Sequence, residues 1–120
     1  MKLDLETRAI DNVTVLYCKG RFTYRDEATA FSQKIAELLP HARQLIVELS
    51  GLEAIDSAGL GALVRGNTSA QNRGATIKLA NLTKTFHELL TITKLVTFFD
   101  TYGSVDDAVN SFAHKASAAG

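Results

Sequence analysis

Asp56-Ser57-Ala58-Gly59-Leu60-Gly61 is the stretch whose residue types could do chemistry: an acid beside a hydroxyl, then residues with little or no side chain. Spacing separates the uses of such a serine. A hydrolase elbow needs Gly-x-Ser-x-Gly, because small neighbours permit its strained turn; Gly59 is in place, but Ile55 occupies the first glycine position. A dinucleotide loop needs Gly-x-Gly-x-x-Gly; Gly59 and Gly61 begin that pattern, and Val64 breaks it. The Gly-Lys-(Ser/Thr) of a phosphate-binding loop is absent. His41, His87 and His114 are isolated in sequence, and no Cys/His cluster offers a zinc site. These residues point away from an enzyme, a bound cofactor and a metal.

Capping or modification is left for Ser57. Asp and Ser at a helix entrance can each accept hydrogen bonds from N–H groups that lack intrahelical partners. Phosphorylation would add about −1.5 to −2 charges there, next to Asp56. Free N–H groups and the helix macrodipole tolerate an anion at that end, so such a charge would alter an interface more than the fold. Gly59 and Gly61 lie in the first turns, where each costs roughly 0.5–1 kcal/mol relative to Ala. Ala58, Ala62 and Gly66 extend the small-residue surface. Close packing of the helix on its own sheet explains such a surface, and so does close approach by a partner; different faces can serve both.

The elements that must position this stretch follow from periodicity. Leu45-Ile46-Val47-Glu48-Leu49 reads as a strand covered on both faces. Ser50-Gly51-Leu52-Glu53 is expected to break it before Ala54-Ile55 turns back inside and the Ser57 helix begins. Upstream, Leu3 and Leu5 alternate with Asp4 and Glu6, Asp11-Asn12 marks a turn, and a second strand runs from Val13 to Gly20. Thr23 and Asp26 form a capping-box variant ahead of a helix with Ala28, Phe31, Ile35, Leu38 and Leu39 inward and Pro40 at its end. Beyond the Ser57 helix, Asn72-Arg73-Gly74 is a stop, Thr76 to Leu79 a strand, and Leu82, Phe86, Leu89 and Leu90 a helical stripe capped by Asn81. Val96 to Phe99 is expected as the last strand. Ser104 and Asp107 cap a final helix whose apolar face is Val105, Ala108, Val109, Phe112 and Ala113. The order ββαβαβαβα predicts an α/β domain with about four helices, its sheet mostly parallel, with an antiparallel N-terminal edge strand. The domain is expected over 1–114, with a short flexible tail over 115–120.

Composition narrows the class. The 120 residues suit one domain, and 13 basic against 13 acidic residues give no electrostatic footprint of a nucleic-acid binder. The N-terminus lacks a signal-peptide pattern, and no run approaches a membrane span, so the expected location is the cytoplasm. Cys18, the single cysteine, is expected as a small buried residue.

Ile55-Asp56-Ser57-Ala58-Gly59-Leu60-Gly61 resembles the signature of STAS domains, in particular bacterial anti-sigma-factor antagonists, and the element order resembles theirs over almost the whole chain. The resemblance implies that Ser57 is phosphorylated by a partner kinase. It implies an interface at Asp56, Ser57, Ala58, Gly59, Gly61 and Ala62, with Arg21 and Thr23 beside it. Ala58 stands where a second hydroxyl residue is usual. The implied partner is an anti-sigma factor that is also a serine kinase and binds ATP itself; a separate phosphatase resets the switch. Unphosphorylated antagonist binds that kinase and frees a sigma factor. Family members commonly carry an acidic pair in a Gly-Glu-Leu-Asp-like segment; here it is Gly20-Arg21-Phe22-Thr23, with both acids lost and one position basic. A STAS subunit of a membrane-lipid transport complex, bound to its ATPase, and a sensory-assembly scaffold are the alternatives.

Overall fold

A computed structural model describes residues 2–119, with side chains as far as 112. Five strands and four helices alternate in the expected order. They are β1 (Leu3–Ile10), β2 (Val13–Phe22), α1 (Tyr24–Leu38), β3 (Gln44–Ile55), α2 (Ser57–Asn72), β4 (Thr76–Ala80), α3 (Lys84–Ile92), β5 (Asp100–Tyr102) and α4 (Val105–Ala119). A short 3-10 turn at Leu39–His41 holds Pro40. The strands lie in sequence order across one sheet. β1 pairs antiparallel with β2 at the edge, and every later pairing is parallel. Sequential parallel strands joined by right-handed crossovers collect their helices on one face. Accordingly α1, α2 and α3 share one apolar cluster with Leu45, Val47 and Leu49, while α4 covers the other face through Ile46, Ala80, Ala108, Val109 and Phe112. The alternation of β3 between these clusters explains why its apolar run is nearly continuous.

Several local expectations are corrected. Ser50 to Glu53 does not break β3. The strand continues to Ile55 beside β2, absorbing two extra residues at irregularities opposite Tyr17–Lys19 and Gly20–Arg21. Parallel pairing to β2 supplies the hydrogen bonds that a loop would have lacked. Val96 to Phe99 is not a strand either. The N–H groups of Leu95 and Val96 bond Leu90 O, and that of Phe98 bonds Leu95 O, so Phe99 enters the core from a turn, with Val96 half-buried and Phe98 exposed. The polar Asp100-Thr101-Tyr102 makes the ladder to β4 instead. Asn81 does not cap α3; Thr83 does, its Oγ1 accepting from Phe86 N–H at 3.1 Å. Thr23 occupies the N-cap position of α1 but forms no side-chain cap, and its buried Oγ1 has no partner among the described residues. Ser104 does cap α4, accepting from Asp107 N–H at 3.0 Å. The Ala113 side chain lies outside the described residues, and so do the side chains of the expected tail over 115–120.

Two buried polar groups mark the α4 face. Lys78, 3% exposed, donates to Ser111 Oγ at 2.6 Å and stands 4.1 Å from the centre of the Phe112 ring, a cation–π contact that ties α4 to β4. Glu48 receives Asn81 Nδ2 at 2.7 Å and Ser50 Oγ at 2.8 Å, joining the middle of β3 to the end of β4. Cys18 is buried and free, as expected, and burial followed by the nearby Glu48 pushes its thiol pKa up to about 12.

Candidate functional site

The C-terminal ends of the parallel strands form one rim of the molecule, which is where open α/β sheets present their functional groups. At that rim β3 delivers Asp56 and Ser57 directly into α2, next to the end of β2, where Phe22 pairs with Ile55. Asp56, in extended conformation, is the N-cap of α2. Its Oδ1 accepts from Gly59 N–H at 3.0 Å, and its Oδ2 accepts from Tyr24 N–H, across the rim, at 2.9 Å. One carboxylate therefore holds the first turns of two helices. The Tyr24 bond, then the Gly59 bond, lowers the Asp56 pKa from its ordinary value of 3.8. The carboxylate thus also does the work expected of Thr23.

Ser57 is the first residue of α2 and is exposed. Because Asp56 satisfies the first turn, the Ser57 hydroxyl makes no hydrogen bond among the described residues. An accessible, uncommitted hydroxyl at a positively polarised helix end can accept a phosphoryl group without breaking any contact of the fold.

The residues expected at the interface divide into two sets. Asp56, Ser57, Ala58, Gly61 and Arg21 reach the surface of this rim. Gly59, Ala62 and Thr23 are buried behind it. A Cβ on Gly59 would overlap the Phe22 carbonyl oxygen, so this glycine exists to let α2 cross the end of β2. Ala62 is fully buried within the core cluster. At Gly61 a Cβ would meet only the guanidinium of Arg65, with Nη1 at 3.1 Å. Packing therefore explains Gly59 and leaves Gly61 for the surface.

Sequence reasoning missed Tyr24. It is 65% exposed, holds a left-handed φ of 65°, and stands beside Ser57 through its bond to Asp56. Such a conformation is unusual for an aromatic residue and is fixed here by the carboxylate. No spacing rule signals a cap that comes from a residue 32 positions away. Farther along the rim, Ser50, Asn81, Thr83, His87 and Tyr102 line a cavity of about 590 Å³. No histidine meets another ligand there, and among the described residues no group of His, Cys, Asp and Glu could hold a metal ion. Nor is any described helix long and apolar enough to cross a membrane.

Comparison with known proteins places the architecture. A family model described as "Mlab, STAS domain" matches residues 5–99. Comparison with curated protein sequences finds no match. Among solved structures, the Thermotoga maritima protein TM1081 superposes with a TM-score of 0.80 at 21% identity, over 89% of this chain and 92% of that one. The unphosphorylated form of the anti-sigma factor antagonist SpoIIAA gives 0.77 at 13% identity, covering 92% and 97% of the two chains. Its phosphorylated form, described as a Bacillus cell fate determinant, gives 0.70 at 15%, covering 92% and 98%. The murine anion transporter Slc26a9 contains the same fold in part, with a TM-score of 0.74 at 20% identity over 90% of this chain and 18% of that one. At these identities the likeness is one of fold. The match over most of the chain, together with the Asp56-Ser57 helix entrance at the sheet rim, makes this protein a member of the STAS domain family.

Proposed function

We propose that the chain is an anti-sigma-factor antagonist whose partner binding is switched off by phosphorylation of Ser57. The observation that carries this reading is the free, exposed hydroxyl of Ser57 beside a cap already supplied by Asp56. In the unphosphorylated state the rim formed by Asp56, Ser57, Ala58, Gly61 and Arg21 binds an anti-sigma factor that is also a serine kinase, and a sigma factor is released. The kinase binds ATP; this chain supplies the acceptor hydroxyl. A phosphate on Ser57 adds charge beside Asp56 and expels the partner while the fold persists. A phosphatase restores the binding form. The basic Arg21 in place of an acid selects a partner with acidic or neutral groups opposite it.

Pull-downs from native lysate with wild type and Ser57→Asp test the reading, with peptide mapping of the chain after incubation with the captured kinase and ATP. The expected result is a kinase captured by wild type alone and modification at Ser57. Ser57→Asp should move stability by about 1 kcal/mol or less, since Asp56 keeps the cap and an acid in the first turn suits the helix macrodipole. Modification confined to another residue would sink the assignment. The description of the matching family favours one second reading, a regulatory subunit of a lipid-transport complex. Capture of a transport ATPase, by wild type and Ser57→Asp alike, would establish that reading instead.

A further inference from the structure

The face between α1 and α2 carries a basic trough that phosphorylation alone does not explain. Two adjoining depressions of about 500 and 270 Å³ share Ser32, Ala36 and Arg65 and so form one trough along the two helices. It starts at Ala58, the neighbour of Ser57, where Arg25 and Arg65 flank it. Both arginines are exposed. The ion pairs among the described residues, Arg8–Glu6 and Lys34–Glu37, involve neither of them. α2 has no acidic residue at all.

Charge at the far end of the trough has a use within the fold. Arg73 is the C-cap of α2, where a cation complements the negative end of the helix, and Arg43 lies over Gly74 beside it. Arg25 and Arg65 have no such use. Arg25 stands in the first turn of α1, where a cation opposes the macrodipole, and Arg65 folds back over Gly61 in the body of α2. Two guanidinium groups without carboxylates, on either side of a trough of Ala, Ser, Thr and Gln, make a receptor for carboxylates.

We propose that this trough docks an acidic segment of a protein partner, whose carboxylates pair with Arg25 and Arg65. The inference rests on the switch reading and gives the partner its chemistry: an acidic segment laid beside Ala58 is repelled when Ser57 carries a phosphate. A protein segment fits better than a membrane, because the exposed large apolar residues Tyr24, Ile92 and Phe98 do not line the trough. It fits better than a nucleic acid, because the trough offers no aromatic ring for a base to stack on and the chain carries no net charge.

The test is an amide-resolved NMR titration of the full chain at low salt with a short Glu-rich peptide. A single-stranded oligonucleotide of equal charge and phosphatidylglycerol-containing vesicles form the parallel arms. The expected result is saturable peptide binding with shifts along α1 and α2. Binding should fall about tenfold in Arg25→Gln/Arg65→Gln, fall again with salt, and survive in Arg25→Lys/Arg65→Lys. Each variant's amide spectrum verifies its fold. Three results overturn the proposal: no saturable shifts in the trough, equal peptide binding by the Gln variant, or tighter binding of oligonucleotide or vesicles. The probe needs neither kinase nor phosphate, so failure here leaves the mapping of Ser57 untouched, and failure at Ser57 leaves this titration readable.

Discussion

Two acid–serine pairs sit on the same rim of the sheet and are used in opposite ways. At the end of β3, Asp56 spends both carboxylate oxygens on the backbone N–H groups of Gly59 and Tyr24 and leaves the adjacent Ser57 hydroxyl free. Earlier in the same strand, Glu48 takes the Ser50 hydroxyl at 2.8 Å and the Ser50 N–H at 3.0 Å, and holds Asn81 as well. Both serines are exposed, yet one is committed and the other is not. What separates them is the acid's choice of partner. A carboxylate at a helix entrance finds several backbone donors without acceptors, whereas Glu48, inside a strand, finds a mostly paired ladder and takes one N–H, that of Ser50 at a register irregularity, together with two side chains.

Breaking the committed pair should have the largest effect. Glu48→Ala removes the hydrogen bonds that the Asn81 amide and the Ser50 hydroxyl and N–H make to a buried carboxylate, and should cost about 3 kcal/mol in denaturant unfolding. Gly59→Ala comes next. The clash with the Phe22 carbonyl lifts the start of α2 from β2, for a loss of about 2 kcal/mol in the same assay. Removing the cap in Asp56→Ala should cost about 1 kcal/mol and release Tyr24 from its fixed conformation, visible as loss of the Tyr24 amide's hydrogen-exchange protection. This third effect has a pH signature. The folded pKa of Asp56 lies below 3.8, so its stabilisation is present above that value and is lost as pH falls through the folded pKa. The gap between wild type and Asp56→Asn should therefore close in acid. The smallest effect sharpens the distinction between the two glycines of the entrance. Gly61→Ala meets only a flexible arginine and should stabilise by about 0.5 kcal/mol, measured by thermal melting. Partner affinity measured on the same variant then shows whether the surface at Gly61 must stay smooth.

Legibility in the sequence followed the range of the interactions. The element order, the antiparallel edge and the helix entrance at Asp56-Ser57 could be read because period, turn residues and local caps are encoded within a few positions. The continuity of β3 through Ser50 to Glu53 could not, since it depends on β2 lying alongside with two irregularities that no local pattern records. Val96 to Phe99 looked like a strand because its apolar residues were legible and the turn that buries only Phe99 was not. Within the site, Gly59 and Gly61 are two residues apart with the same side chain, yet only the first meets a carbonyl oxygen. Thr23 had the right position for a cap and lost the role to a carboxylate from another part of the chain.

The buried Cys18 makes the chain its own stability gauge. With its pKa pushed up to about 12, the thiol stays protonated at neutral pH, and it is shielded from reagents that need a thiolate. Alkylation must wait for the middle of the sheet to open and admit water. Because the sequence has one cysteine, each labelled molecule reports one opening event, and the labelling rate at saturating reagent measures how often it occurs. No dye, tag or added residue is required. A partner that binds the folded form slows that clock in proportion to its occupancy, so affinity can be read as a mass shift from the unaltered chain.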